Sequence, residues 1–307
     1  MKHWGIDLGG TKTEIAVIEQ GRVLLRRRIP TKPHEGYETL LSNISNLVAE
    51  TSAEIGTSPQ LIGIGTPGSV DPSTGRIRNS NTTCLNGKAL AEDLTRILRA
   101  EVLLANDANC FALAESRWGA GKSSPPHESV LGLIVGTGVG AGLVIGGHLI
   151  VGANGNAGEW GHNPLVGEDR LCYCGRRGCV ETVISGPALE SYYHDMTGVR
   201  RSLGDILERR HEEVAASATV DRLLSRFGMA IAAVINILDP ALIILGGGIG
   251  NIDLLYERWP DYALPHIFNG GADRTETRLL KPLLGDSSGV FGAAALTGNF
   301  ELEEFVT

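Results

Sequence analysis

The sequence predicts an α/β protein of two units, each built on the same strand–glycine turn–strand module. Residues 3–8 (His3-Trp4-Gly5-Ile6-Asp7-Leu8) read as a short buried strand and Gly9-Gly10-Thr11-Lys12 as a tight turn. Thr13–Ile18 alternates as a second strand, and after Gly21 the segment Arg22–Ile29 reads as a third. The order then restarts. Val130–Val135 is an apolar strand, Gly136-Thr137-Gly138-Val139-Gly140 a glycine turn, Ala141–Ile145 a second strand, Gly146-Gly147 a hairpin turn and His148–Val151 a third strand. Gly10 and Gly138 occupy matching places. Such a repeat reads as a duplicated three-stranded unit, one per domain; two unrelated glycine-rich hairpins are the alternative.

Other elements follow from periodicity. Leu40, Leu41, Ile44, Leu47 and Val48 lie at helical spacing within Tyr37–Glu54. Leu61–Gly65 and Val102–Ala105 read as buried strands, and Leu90–Leu98 and Ala108–Trp118 as helices. Ser217–Leu238 is a long helical pattern, Ala241–Leu245 a strand, and a helix starts near Ile252 after Gly246-Gly247-Gly248. Gly289–Leu296 is small and helix-like, and in duplicated folds of this kind such a last helix packs back on the first domain. The expected domains are therefore residues 1–118 plus about 289–307, and residues 119–288, with Gly119–His127 as the best boundary segment.

Composition bounds the partners. The chain has 307 residues, 42% of them hydrophobic, which is enough for two cores. Asp and Glu number 35 against 27 Lys and Arg, a net charge of −8, so no general attraction to nucleic acid or anionic membranes is expected. The one basic run, Arg26–Arg28, reads as a solvated face. Asp7 falls where a signal peptide would be apolar, and no apolar stretch reaches membrane-spanning length, so the expected compartment is the cytoplasm.

Three glycine turns at strand ends carry the chemistry: Gly9-Gly10-Thr11-Lys12, Gly136-Thr137-Gly138 and Gly246-Gly247-Gly248. Glycine lets backbone N–H groups wrap an anion without interference from a Cβ, and Thr11 and Thr137 add hydroxyl donors. Asp7, at a strand end beside the first turn, could hold a hydrated Mg²⁺ near phosphates. The standard phosphate motifs are absent. Gly121-Lys122-Ser123 has Ser116 where a P-loop needs its first glycine, and the G-x-G-x-x-G pattern fails at Ala141 and at Asn251. Asn106-Asp107 follows an apolar strand. A carboxylate there could take the proton of an attacking hydroxyl, or it could simply cap the next helix.

Five cysteines make a disulfide framework improbable, and three crowd into Cys172-Tyr173-Cys174-Gly175-Arg176-Arg177-Gly178-Cys179. Glycine turns between them allow three thiols to fold round one ion, with His162 of Glu159-Trp160-Gly161-His162 as the nearest fourth ligand for structural zinc. Reduced surface thiols are the alternative. Glu181 would be carried in by the same knuckle, and Glu159 and His162 have the donors and acceptors to bind sugar hydroxyls.

In this order the motifs resemble the ROK family of bacterial sugar kinases and repressors, from Gly5 to about Gly298. The resemblance rests on Asp7-Leu8-Gly9-Gly10-Thr11-Lys12, Ala105-Asn106-Asp107-Ala108-Asn109-Cys110, Gly136-Thr137-Gly138, Glu159-x-Gly-His162, the three-cysteine knuckle and Leu245-Gly246-Gly247-Gly248. It implies an actin-like/hexokinase-type (ribonuclease H-like) fold whose two domains close on sugar and Mg-ATP. It implies ATP on Gly9–Lys12 and Gly136–Gly138, adenosine near Gly246–Gly248, and Asp107 as the base. Asn81, Asn106, Glu159, His162 and Glu181 would hold the sugar, His162 with one nitrogen on zinc and the other on sugar. A homodimer is implied as well. The family's repressors carry a DNA-binding domain ahead of the first phosphate turn, which begins here at Gly5, so kinase activity is the expectation. Trp160, Asn163 and the segment Asn79–Gly87 resemble the fructokinase and mannokinase members. The expected substrate is thus fructose, with N-acetylglucosamine the alternative because Cys84 stands where those members often have Trp.

Overall fold

The computed structural model describes residues 1–125 and 128–302. Pro126 and His127, the end of the segment read as a linker, lie outside the described residues, as do residues 303–307. In chain order the strands are β1 (Lys2–Leu8), β2 (Lys12–Glu19), β3 (Arg22–Pro30), β4 (Leu61–Thr66), β5 (Ser69–Val70), β6 (Ile77–Arg78), β7 (Glu101–Asn106), β8 (Ser129–Val135), β9 (Val139–Ile145), β10 (His148–Ile150), β11 (Leu242–Gly246) and β12 (Arg278–Leu280). The helices are α1 (Tyr37–Ile55), α2 (Leu90–Leu98), α3 (Asp107–Arg117), α4 (Glu181–Ile184), α5 (Gly186–Thr197), α6 (Leu203–Glu208), α7 (Val214–Leu238), α8 (Asp253–Ala263) and α9 (Ser288–Ala295).

Two five-stranded sheets share one order, β3-β2-β1-β4-β7 and β10-β9-β8-β11-β12. In each, an antiparallel three-stranded module is extended by parallel strands, β4 on β1 and β11 on β8. The duplication read from the glycine turns is therefore real at the level of sheet topology. The chain forms two compact units, Met1–Ser124 with Gly142–Ala157 and Leu283–Thr307, and Pro125–Ala141 with Gly158–Pro282. The boundaries drawn from sequence at 118/119 and 288/289 differ from these, because no local signal marks residues 142–157 as grouping with the first unit.

In the first unit α1 buries Leu40, Leu41, Ile44, Leu47 and Val48 against the sheet and stops at Gly56, whose φ of 74° is a left-handed C-cap. On the other side α9 packs at backbone distance. A Cβ on Gly5 would lie 2.4 Å from the Val290 carbonyl oxygen, and one on Gly63 would lie 1.8 Å from that of Ala293. A Cβ on Gly292 of α9 would lie 1.8 Å from the Cys110 carbonyl oxygen of α3. Glycines in strands and helix thus face backbone, which is why the last helix is so small. The buried Glu115 carboxylate ties these parts together. It accepts from the N–H groups of Ala120, Leu283 and Leu284 at 3.0, 3.0 and 2.9 Å and from the Ser288 hydroxyl at 2.9 Å.

The run Arg26–Arg28 is not merely a solvated face. Glu14 on β2 is buried and receives both Arg26 (2.9 and 2.7 Å) and Arg28 (2.8 Å), while Arg27 reaches Glu50 and Glu54 on α1. Alternation along β3 sends 26 and 28 to one face and 27 to the other. In the second unit the core gathers Leu133, Val135, Trp160, Phe227, Ile231 and Trp259 between the sheet and helices α7 and α8. Among the described residues no helix is long and apolar enough to cross a membrane.

The close approach of α9 is testable. Gly63→Ala is expected to destabilise the fold by about 2 kcal/mol or more, because the new methyl meets a backbone carbonyl. Gly204→Ala in α6, whose Cβ would meet only the Ser202 hydroxyl at 3.8 Å, is expected to be neutral or stabilising by up to about 1 kcal/mol. Urea unfolding of both variants checks this contrast.

Candidate active site

The first unit places its polar residues at the carboxyl ends of β1, β4 and β7. Register sets Asp7 beside Gly65, and Gly65 and Thr66 beside Ala105 and Asn106. Two glycines clear the space for the Asp7 carboxylate: a Cβ on Gly289 would sit 2.5 Å from Asp7 Oδ2, and one on Gly65 would sit 3.1 Å from Cys110 Sγ and 3.8 Å from Asp7 Oδ1. Burial, then the charges of Asp107 and Glu14, push the Asp7 carboxyl up to about 7, against the pull of Arg28. Burial and the same two aspartates push the Cys110 thiol upward, so it is inert filling behind them.

Asn106, not Asp107, caps α3. Its Oδ1 accepts from the Ala108 N–H at 2.9 Å, while its Nδ2 donates to the Gly68 carbonyl at 2.8 Å. Asp107 is the first helical residue, and its Oδ1 also accepts from the Ala108 N–H, at 2.8 Å. The capping alternative read from sequence thus belongs to the neighbouring side chain. Gly68, with φ 83°, lies against the backbone of Arg78 and Ser80. Arg78 continues the chain of contacts to Asp71 (3.4 Å), to Asn156 Oδ1 (2.8 Å) and to the Asn154 carbonyl. The loop that follows is braced by Asn86, which bonds Ser80 N and O at 2.9 Å each and leaves Asn81 exposed.

The glycine turns of the two units join equivalent strands, one residue away from the match read in sequence: β1 and β8 end at Leu8 and Val135 and β2 and β9 begin at Lys12 and Val139, so Gly10 answers to Thr137 rather than to Gly138. In the first, Gly9 N–H closes on the Lys12 carbonyl at 3.0 Å, and Thr31 N–H holds the Thr11 carbonyl at 2.9 Å. In the second, Gly136 N–H closes on the Gly138 carbonyl at 2.9 Å. Among the described residues this leaves two consecutive N–H groups without a backbone partner in each turn, Gly10 and Thr11 in one and Thr137 and Gly138 in the other. Paired N–H groups of this kind offer a candidate anion nest. The third turn adjoins the second: a Cβ on Gly136 would lie 3.7 Å from Gly248 N, and Gly247 requires glycine because its φ is 80° and a Cβ there would meet the Val135 carbonyl oxygen at 2.4 Å. Gly246 is buried, and Gly247 and Gly248 are exposed.

The second unit also brings together His162, Cys172, Cys174 and Cys179, whose ligand atoms all lie within 4.8 Å of one another. His162 Nδ1 is 3.6 Å from Cys172 Sγ, and Cys174 Sγ is 3.6 Å from Cys179 Sγ. Zn–S bonds of about 2.3 Å and Zn–N bonds of about 2.0 Å give tetrahedron edges of roughly 3.5 Å (S–N) and 3.8 Å (S–S), close to these two separations, so the donor set suits zinc. The side chains of α7 hold the loop between them: buried Glu168 accepts from Arg222 at 3.0 and 2.5 Å and from Arg226 at 2.7 Å. Glu181 follows the knuckle at the start of α4, and its Oε2 accepts from the Val139 N–H at 2.8 Å.

Two placements differ from expectation. The second nitrogen of His162, Nε2, pairs with the Tyr173 hydroxyl at 3.0 Å, so Tyr173 stands where the resemblance put sugar. With Nδ1 turned to a metal, Nε2 carries the ring proton and donates it. Tyr173 was missed because it lies between two cysteines that drew the whole reading. Trp160 is buried in the second core and donates its Nε1–H to the Ala230 carbonyl at 3.2 Å, and Cys84 packs on the first core. Trp160, which supported the fructose expectation, therefore serves its core, and Cys84, which kept N-acetylglucosamine as the alternative, packs partly buried against the other.

The two sheets, the paired anion nests and the carboxylates at the strand ends define an actin-like/hexokinase-type α/β protein. The ROK family model matches residues 3–299, and the chain belongs to that family. It is 39% identical to an N-acetyl-D-glucosamine kinase of Pasteurella multocida and 36% identical to one of Aliivibrio fischeri, each match covering 96% of this chain and 98% of the relative. Among solved structures, a ROK hexokinase from Thermus thermophilus superposes with a TM-score of 0.84 at 30% identity, covering 96% of this chain and 97% of that one. A ROK glucokinase from Streptomyces griseus, in complex with glucose and AMPPNP, gives 0.76 at 28% identity, covering 96% and 99%.

Metal analysis tests the four-donor geometry. Protein purified without chelator is expected to carry about one zinc per chain, and Cys174→Ser to carry far less and to unfold at lower temperature. Zinc-free wild-type protein of unchanged stability would contradict the fit.

Proposed function

We propose that this chain, an ATP-dependent sugar kinase, transfers the γ-phosphoryl group of ATP to the 6-hydroxyl of N-acetyl-D-glucosamine. One observation carries the choice of sugar: the curated relatives aligned over nearly the whole chain are N-acetyl-D-glucosamine kinases. The fructose expectation has no such support, and the burial of Trp160 removes its main residue from any sugar contact.

The geometry of each unit supports the following roles. Asp107, at the start of α3, accepts the proton of the sugar hydroxyl as its oxygen attacks phosphorus in line. Much of its value is orientation, since an ordinary aspartate is a weak base with a pKa of about 3.9. Asn106 keeps one amide hydrogen for the sugar while its other contacts fix the turn at Gly68. Exposed Asn81 offers a further polar contact. Glu159 and the Tyr173 hydroxyl take sugar hydroxyls in the second unit, with His162 orienting Tyr173. The N–H pairs of Gly10–Thr11 and Thr137–Gly138 hold phosphate oxygens, with Lys12 beside the first pair and Gly246–Gly248 toward the adenosine. Asp7 is the carboxylate that fits Mg²⁺, which when bound neutralises charge on the phosphates. Zinc in the knuckle is structural, because all four of its positions are filled by protein. A homodimer is the proposed assembly, and Ile237 on α7 leaves an exposed apolar side chain for it.

A side-by-side measurement of kcat/KM for N-acetylglucosamine, glucose, mannose and fructose tests the substrate. N-acetylglucosamine is expected to lead by tenfold or more, and a lead for fructose would overturn the proposal. In the same assay Asp107→Asn is expected to lower kcat by roughly 10²–10⁴-fold with nucleotide binding retained. Retention of more than about a tenth of kcat would remove Asp107 as the base.

A further inference from the structure

The Glu181 carboxylate does two things that the sequence did not join. It lies two residues past Cys179, and the Val180 N–H between them donates to the Asn163 carbonyl at 2.9 Å, one residue past His162, so its backbone is tied to the metal knuckle. Its Oε2 takes the N–H of Val139, the residue after the second anion nest, at 2.8 Å. A Cβ on Gly138 would lie 2.9 Å from that same oxygen, so the glycine is required by the carboxylate as much as by any phosphate. The Gly186 N–H, at the start of α5, holds the Gly136 carbonyl at 2.9 Å from the same side. The nest is therefore clamped by the segment that the metal knuckle leads into. Oε1 of Glu181 has no hydrogen-bond partner among the described residues.

A negative carboxylate next to a phosphate nest is unfavourable for ATP unless its charge is shared. We propose that Glu181 is a positioning residue that couples sugar to nucleotide: Oε2 holds the phosphate turn through Val139, and Oε1 takes a sugar hydroxyl. A hydroxyl donated to Oε1 draws charge away from Oε2 and fixes the side chain. The bound sugar then weakens the repulsion felt by phosphates and spares the turn an ordering cost. By linkage, the nucleotide tightens sugar binding by the same factor. The proposal rests on the sugar-kinase reading, but not on which hexose is preferred.

The experiment measures the dissociation constant of a non-hydrolysable ATP analogue with and without saturating sugar, in zinc-loaded protein. The sugar is whichever hexose the activity panel shows to be phosphorylated. Wild-type protein is expected to bind the analogue at least about fivefold more tightly with sugar present. In Glu181→Gln, which keeps the shape and loses the charge, sugar-free nucleotide affinity is expected to rise and the ratio to fall to within twofold of one. Gly138→Ala, which displaces Oε2 without touching the charge, is expected to lower the ratio as well, and it serves if Glu181→Gln does not fold. A merely structural brace would change stability and leave the ratio alone. A wild-type ratio of one overturns the coupling, as does a wild-type ratio preserved in the folded variants. Failure of every hexose to bind overturns both the coupling and the kinase reading, whereas a lead for glucose overturns only the choice of substrate.

Discussion

The constraint on which the first unit depends is a carboxylate, Asp7, held out of water beside a second carboxylate, Asp107. Neither burial nor like charge helps folding. The surrounding sequence is arranged to permit the placement. Gly65 and Gly289 leave the volume, Cys110 fills the space behind without adding charge, and Arg28 supplies a partial counter-field from β3. A site of this kind gains from a bound cation or proton at Asp7. The small size of α9 belongs to the same arrangement, since only a Gly- and Ala-rich helix approaches Asp7, Gly5 and Gly63 this closely.

The second unit meets a related problem with the charge outside the nest. Backbone N–H groups suit phosphate, yet one of them, on Val139, is occupied by Glu181. The nest is thereby reduced to Thr137 and Gly138, the counterpart of Gly10 and Thr11 in the first unit. Duplication has kept two equivalent pairs of backbone N–H groups. In the second, the carboxylate links the nest to the Cys/His knuckle, and the knuckle is anchored through Glu168 to the long helix α7.

Much of this was legible in the sequence, because local signals carried it. The duplicated module announced itself by glycine turns at strand ends, α1 by the spacing of Leu40, Ile44, Leu47 and Val48, and the metal ligands by crowding of thiols. What was not legible depends on pairs distant in the chain. That Arg26 and Arg28 serve Glu14 requires the β2–β3 register. That Asn106 rather than Asp107 caps α3 is decided by where β7 ends, one residue's difference. The inward turn of Trp160 toward Ala230 spans 70 residues of sequence, so a residue read as a substrate marker proved to be core. Helices α4 and α6 are too short for a periodic run, and α5 buries only Ala188, Leu189 and Tyr193.

The paired-carboxylate constraint is tested most directly by stability against pH in the absence of Mg²⁺, comparing wild-type protein with Asp7→Asn. Asp7 titrates near 7 when folded and near 4 when unfolded, so the folded state binds its proton more tightly. Wild-type stability should therefore fall as pH rises from about 4 to about 7, by at most roughly 4 kcal/mol. Asp7→Asn, which cannot ionise, should escape that loss, being more stable than wild type at pH 8 and level with it near pH 4. Parallel stability curves for the two proteins across this range would show that Asp7 carries no such strain, and would contradict the arrangement described for the strand ends.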